Sequence, residues 1–332
     1  MPAQSPTIAE AVQKYLETVK LARLQNTALT YGKAMKSFLA MLAENDLDPQ
    51  VSPASALTED VLADFAIHLK DYTPATERLY IQAAQGFYKF LAAERLAEIN
   101  LPRLELLLKQ RVRRPGIRLP QFPAEDIERI LAFVSDPANL SDNPDDLETI
   151  KLRAMRDRAF LLTLADTGLR VHEACALRRG DVDWNEGRAV IIGKGDKQAV
   201  VRFSTRSLQA LRDYLSLRTA LDGGSGRPLA SLPLFARHDK GTGKKVKPIT
   251  PTTGRNIVDE RVKQALGETA SNITPHSFRH YFVTTVLRGS GNLKLAQELA
   301  RHANIQVTQR YAHLSDDELD KGYHDVFEKQ RK

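Results

Sequence analysis

The chain has 332 residues, 42% of them hydrophobic and 27% charged, with a formal net charge of +7. That is enough chain for two domains with real cores in a soluble globular protein, and the basic balance is compatible with a polyanionic partner. No apolar run reaches bilayer-spanning length, the N-terminal MPAQSPTIAEAVQKYL lacks a signal-peptide core, the single Cys175 excludes an internal disulfide and fits a reducing cytosol, and no CxxC or HExxH pattern points to a metal.

Residues 1–99 read as helical. Ile8, Val12, Tyr15, Leu16 and Val19 recur at helix spacing. A second helix is expected over Thr27–Ala43, with Tyr31, Met35, Phe38 and Leu39 on one side. A third follows the cap-like TEDV at Thr58 and carries Val61, Phe65, Ile67 and Leu69. A fourth starts near Pro74 and runs through Tyr80, Ala83, Phe87 and Phe90. Four helices with short connections predict a small bundle.

Residues 100–122 hold Pro102, Pro115 and Pro120 among basic residues and read as a linker, with a helical start allowed. The remainder, 123–332, reads as a second domain. PAEDIERIL opens a helix, residues 135–149 form an acidic loop, and a long helix spans Ile150–Asp166. A helix with Val171, Ala174, Cys175 and Leu177 follows TGLR. The period then changes: RAVIIGKGDKQAVVRFS reads as two short strands around a turn. Helix returns over Ser207–Leu221, a long loop covers 222–250 with Leu234 and Phe235 as anchors, and helices follow at Thr252–Leu266, His276–Arg288 and Asn292–Arg301, then a short one bearing Tyr311. The expected fold is mainly α, with one small antiparallel β-sheet in the second domain.

Positive charge is clustered. Residues 101–118 hold Arg103, Lys109, Arg111, Arg113, Arg114 and Arg118 against Glu105; residues 237–247 hold Arg237, Lys240, Lys244, Lys245 and Lys247 against Asp239. Such clusters release counterions from a nucleic-acid backbone. A solvated linker and a solvated loop are the alternative. On the first reading Arg111, Arg113, Arg114, Arg118, Lys240, Lys244 and Lys245 are the candidate DNA contacts.

The chemistry lies further along, in TGLRVHE, GKGDK, HSFRH and ARHANIQVTQRYAH. Arg170 and Glu173 are three apart on a predicted helix and share a face, so the carboxylate can fix the plane of a phosphate-gripping guanidinium. His276 and Arg279 share a face in the same way, and Arg279 can stabilise charge on non-bridging oxygens. Lys194 lies between glycines in the strand turn, where neighbouring cations lower its pKa and a bound phosphate raises it. It is a candidate general acid, with Lys197 as competitor. Tyr311, nine residues after His302, is a candidate nucleophile that needs nearby cations or a base such as His276; Tyr281 and Tyr323 are rivals by type.

This set resembles a tyrosine recombinase of the phage integrase and Xer type. The intervals agree with that family's pattern: 24 residues from Arg170 to Lys194, 3 from His276 to Arg279, 23 to His302 and 9 to Tyr311. The likeness covers most of residues 120–315, and the N-terminal helices resemble the family's four-helix core-binding domain. It implies that Arg170, Arg279 and His302 contact the scissile phosphate. His276 assists proton transfer, Lys194 is the general acid, Tyr311 the nucleophile and Glu173 the acidic support. One departure stands out: Arg301 precedes His302 where the family usually has glycine, which alters the local turn or adds a phosphate contact without removing a required group.

The implied reaction is two consecutive transesterifications through a 3′-phosphotyrosine and a Holliday junction, with neither metal, ATP nor other cofactor. The implied partners are double-stranded DNA carrying a specific site and a homo- or heterotetramer on two duplexes. Membrane contact is expected only through an accessory protein, and the location is cytoplasmic and nucleoid-associated. Leu319, Tyr323 and Phe327 form an apolar stripe that packs on its own domain or docks on a neighbour; the family favours docking. Rival readings are a type IB topoisomerase-like relaxing enzyme and a catalytically silent DNA-binding protein.

Overall fold

The computed structural model describes residues 5–23, 25–113, 124–139, 147–192, 198–238, 245–268, 273–302 and 304–309. The chain divides into two compact units, Met1–Arg118 and Leu119–Lys332. Each has its own hydrophobic core. No described helix is long and apolar enough to cross a membrane.

The described part of the first unit contains α1 (Ile8–Ala22), α2 (Gln25–Glu44), α3 (Glu59–His68), α4 (Pro74–Ala93) and α5 (Leu101–Arg111). Local chemistry sets the helix starts. Thr7 caps α1, accepting from the Glu10 N–H at 3.2 Å while Glu10 accepts from the Thr7 N–H at 2.8 Å. Thr73 caps α4, whose first residue is Pro74. Phe38, Phe65, Phe87 and Tyr88 are fully buried, and Phe38 meets the other three edge-on.

Helix α5 occupies the first half of the stretch expected as a linker. The N-terminal bundle therefore carries a fifth helix. Pro102 starts this helix instead of breaking it, because an N–H in the first turn has no helical acceptor to lose. Leu104 and Leu108 bury in the first core. The basic residues around them find acids from earlier helices. Arg103 meets Glu59 and Asp60 at 2.8 Å, and Arg111 meets Asp64 at 2.9 Å. Arg113 pairs with the fully buried Glu77, which also accepts from Lys70 at 2.7 Å. Two of the candidate DNA contacts, Arg111 and Arg113, are thus engaged inside the unit. Arg114 and Arg118 lie outside the described residues.

The described part of the second unit contains α6 (Ala124–Ser135), α7 (Leu147–Thr167), α8 (Val171–Ala176), α9 (Thr205–Leu217), α10 (Thr219–Gly223), α11 (Pro251–Leu266), α12 (Pro275–Ser290), α13 (Leu293–Ala300) and α14 (Ile305–Gln309), with strands β1 (Val182–Asp183), β2 (Arg188–Ile192) and β3 (Gln198–Arg202). Helix α7 packs against α6, α9 and α12, and buries Phe160, Leu161 and Leu164 completely. The antiparallel sheet runs β1-β2-β3. Its Ala189↔Val201 pair is buried and its Val190↔Val200 pair faces outward, the alternation of a one-sided sheet. The two-residue β1 adds a third strand to the two expected.

The helix expected over Ser207–Leu221 breaks at Arg218. That side chain is fully buried. It donates to the carbonyls of Pro233 at 2.8 Å and Leu234 at 3.1 Å, and pairs with Asp222 at 2.9 Å. These contacts hold down the long loop, and Leu234 and Phe235 anchor it in the core as expected.

Candidate functional site

One cleft of about 670 Å³ in the second unit lies between the turn before α8, helix α11 and the start of α12, and the turn after α13 is tied to it by Arg279. Leu169, Arg170, Arg255, Asn256, His276 and Arg279 are among the residues that line it.

The first turn joins α7 to α8. Gly168 turns the chain at φ +60°, and a Cβ there would overlap the Phe282 ring, so this position requires glycine twice over. Arg170 then caps α8. Its N–H donates to Glu173 Oε2 at 2.8 Å and its Nη1 to Glu173 Oε1 at 2.9 Å. The pairing is a helix-capping contact, with Arg170 just before the helix; the shared helix face expected from the spacing is not how the two meet. Glu173 is buried, whereas the Arg170 side chain is 41% exposed. Burial alone would raise the Glu173 carboxyl. The N–H and guanidinium of Arg170, with the charge of Arg301, reverse this and hold it below the usual carboxylate range.

The second turn is the start of α12, where Pro275 follows Thr274. His276 lies exposed at the cleft. Arg279, one turn on, is only 2% exposed. Its Nη1 donates to the Gly168 carbonyl and its Nη2 to the Ala300 carbonyl. One guanidinium therefore ties the first turn to the third. The His280 ring stands edge-on to His276 at 4.3 Å between centroids. Loss of surrounding water and then the Arg279 and Arg170 charges push His276 down; water loss, then His276 and Arg279, push His280 down to about 4.

The third turn ends α13. Arg301 takes the left-handed conformation, φ 57° and ψ 46°, and brings the chain round to His302. Nδ1 of His302 is 2.9 Å from the Thr308 hydroxyl on α14. Burial, followed by the charges of Arg279 and Arg170, pushes His302 down to about 4, so its imidazole is neutral at pH 7. Arg301 Nη2 donates to the Gly168 carbonyl at 3.2 Å and to Glu173 Oε2 at 3.3 Å.

Arg170, Glu173, His276, Arg279 and His302 are thus brought together from segments far apart in sequence. Guanidinium groups with neutral imidazoles suit an oxyanion with several acceptor atoms, such as a phosphodiester. Lys194, Tyr311, Lys240 and Lys244 lie outside the described residues, as do Lys197 and Tyr323; Lys245 is exposed at the end of the long loop. The rival Tyr281 is buried and donates to Glu128. Burial and then that carboxylate raise its pKa, the wrong direction for a nucleophile.

Arg255, Asn256 and Asp259 line the same cleft, and neither their types nor their spacing marks them in the sequence. The available signal was Gly254. A Cβ there would stand 2.9 Å from Val171 and 3.1 Å from the Cys175 sulfur, so glycine lets α11 lie close on α8 and present its next turn to the cleft.

Residues 121–318 match the profile of the phage integrase family. The chain is 30% identical over 315 residues to a tyrosine recombinase XerC of Bacillus pumilus (strain SAFR-032), covering 94% of each. It is 34% identical over 262 residues to a tyrosine recombinase XerC of Bacillus licheniformis, covering 77% of this chain and 76% of the relative. In fold it is similar to a XerH site-specific recombinase bound to a palindromic difH substrate, with TM-score 0.66 and 19% identity over 94% of this chain and 83% of that one. It is similar also to a lambda integrase dimer bound to a COC′ core site, with TM-score 0.63 and 15% identity over 93% of this chain and 78% of that one. At these identities the two solved structures speak to the fold alone.

Proposed function

The chain belongs to the phage integrase family, and on that premise we propose that it is a site-specific DNA recombinase whose cleft cuts and rejoins one phosphodiester at a time. The observation that carries this reading is the convergence of Arg170, His276 and Arg279 on one opening, with Arg279 tying the Gly168 carbonyl to the Ala300 carbonyl and His302 following that second tie within reach of both arginine charges.

In the proposed reaction Arg170 and Arg279 hold the non-bridging oxygens and stabilise the charge that grows on them. His302, neutral at pH 7, supports the same phosphate by hydrogen bonding. Tyr311 gives its proton to His276 and attacks the phosphorus. The bond to the 5′ oxygen breaks as Lys194 supplies a proton, which leaves a 3′-phosphotyrosine and a free 5′ hydroxyl. A 5′ hydroxyl from a partner duplex then attacks the phosphotyrosine and releases Tyr311. Each step exchanges one phosphodiester for another, so bond energy is conserved. The roles of Lys194 and Tyr311 rest on the family pattern and its intervals. Strand exchange between two duplexes calls for four copies, and we infer a tetramer passing through a Holliday junction.

The test is a nicked DNA substrate that traps covalent adducts. Wild-type protein is expected to form an adduct, and Tyr311→Phe to bind the same DNA without forming one. An adduct with both proteins would contradict the assignment. Relaxation of plasmids lacking any cognate site would point instead to a topoisomerase-like activity.

A further inference from the structure

Among the described residues of the second unit, one non-glycine residue has a positive φ: Arg301, at 57°. This is the left-handed position just after α13, where glycine costs nothing and a side chain is resisted. An arginine is held there against its own backbone preference, so its side-chain contacts must offset that strain.

The Arg301 side chain is 12% exposed. It is not among the described residues that line the cleft. It lies behind the cleft, where Nη2 reaches two acceptors. One is the Gly168 carbonyl at 3.2 Å, which also receives Arg279 Nη1. The other is Glu173 Oε2 at 3.3 Å, which also receives the Arg170 N–H at 2.8 Å. Arg301 therefore shares one acceptor with each of the two arginines that face the cleft. Its Nε and Nη1 are buried and have no hydrogen-bond partner among the described residues. The group has thus given up water around three N–H donors while holding these two acceptors.

We propose that Arg301 is a positioning residue for strand cleavage: from behind the cleft it fixes Glu173 and the Gly168 carbonyl where they orient Arg170 and Arg279. This rests on the reading of the cleft as the place where the DNA phosphate is cut. The Arg301→Gly variant separates backbone from side chain, because glycine accepts the left-handed turn while the whole side chain, guanidinium included, is removed. Arg301→Lys keeps a cation that can still meet Glu173.

The experiment measures DNA affinity and single-turnover cleavage of the nicked substrate separately. Arg301→Gly is expected to bind DNA with wild-type affinity and to cleave roughly 10- to 100-fold more slowly, the scale of a small misplacement around a reacting centre. Arg301→Lys should recover part of the rate. In a Glu173→Gln background, adding Arg301→Gly should cost little more, because the two residues act as one unit. Cleavage by Arg301→Gly at the wild-type rate overturns the proposal, as do full multiplication of the two effects and a loss of affinity that accounts for the lost cleavage. Should the glycine variant not fold, the lysine variant carries the test: a cleavage rate at or above wild type overturns the role. A wild-type protein that forms no adduct overturns the cleft reading and the positioning role with it. An active wild type with an equally active Arg301→Gly overturns only the latter.

Discussion

Replacing Arg279 by alanine removes two contacts that have nothing to do with binding a phosphate. Its guanidinium donates to the Gly168 and Ala300 carbonyls from a site only 2% exposed. After truncation Gly168 keeps the Arg301 donor at 3.2 Å, while the Ala300 carbonyl loses the Arg279 N–H. An unpaired buried carbonyl costs about 1–3 kcal/mol. The space left by the side chain adds to this, giving about 2–5 kcal/mol in all. For a domain of this size that lowers Tm by roughly 5–15 °C. Arg170→Ala differs. Its ion pair with Glu173 is 41% exposed on the arginine side, and Glu173 keeps the residue-170 N–H and Arg301. Solvent screening reduces that loss to about 0–1 kcal/mol. Both variants should lose about 10²–10³-fold in cleavage. The chain's single tryptophan, Trp184, packs against the core of the second unit, so its fluorescence follows that unit alone. Paired melts and single-turnover cleavage assays then separate the two effects. An Arg279→Ala protein melting with wild type, or below it by no more than Arg170→Ala does, would mean that the buried guanidinium does not hold the two turns together.

His280 and His302 are pushed down to about 4, while an unfolded histidine titrates near 6.5. Between roughly pH 6.5 and 4 the unfolded chain binds protons that the folded chain refuses, so stability is complete above the window and falls with acid through it. His302→Asn should flatten that fall by up to about 1.4 kcal/mol per pH unit in Trp184 unfolding curves; an unchanged slope contradicts the assignment. DNA affinity should fall steeply with salt. Lys245→Ala should reduce the log–log salt slope by about 1. Arg113→Ala should leave the slope intact and lower first-unit stability instead, because its guanidinium is committed to Glu77 and the Tyr72 carbonyl. Gly86→Ala gains about 1 kcal/mol of helix propensity. Its new Cβ would overlap the Tyr15 hydroxyl, which donates to the Ala83 carbonyl at 3.0 Å. The variant should be destabilised by about 1–3 kcal/mol in a circular-dichroism melt, and become neutral or stabilised in a Tyr15→Phe background.

Helix starts were legible because their chemistry is local. Threonine followed by proline at 73–74, 250–251 and 274–275 marks the beginnings of α4, α11 and α12 within the sequence itself. Pro102 is ambiguous for the same reason, and a helical start is one of its two readings. Proline reads alike in a linker and in a first helical turn, and what favours helix here is a set of acids at 59, 60, 64 and 77 that only the folded bundle brings near. The break at Arg218 is tertiary as well, since its acceptors come from Pro233 and Leu234. β1 is two residues long and carries no period to detect. At the site, residue types and intervals named Arg170, Glu173, His276, Arg279 and His302, and the fold gathers them. Spacing did not reveal that Arg279 is a buried tie between backbone segments, or that Arg301 reaches back to Glu173. Both depend on carbonyls and turns more than a hundred residues away.

Cleavage as proposed links the phenol of residue 311 to DNA in the cleft framed by Arg170 and Arg279. The direct measurement is mass spectrometry of proteolytic peptides from the protein trapped on a nicked substrate. The expected product is a nucleotide joined through its 3′ phosphate to Tyr311, with no such peptide from Arg170→Ala or Arg279→Ala over the same reaction time. Linkage to Tyr281 or Tyr323, or attachment through a 5′ phosphate, would contradict it.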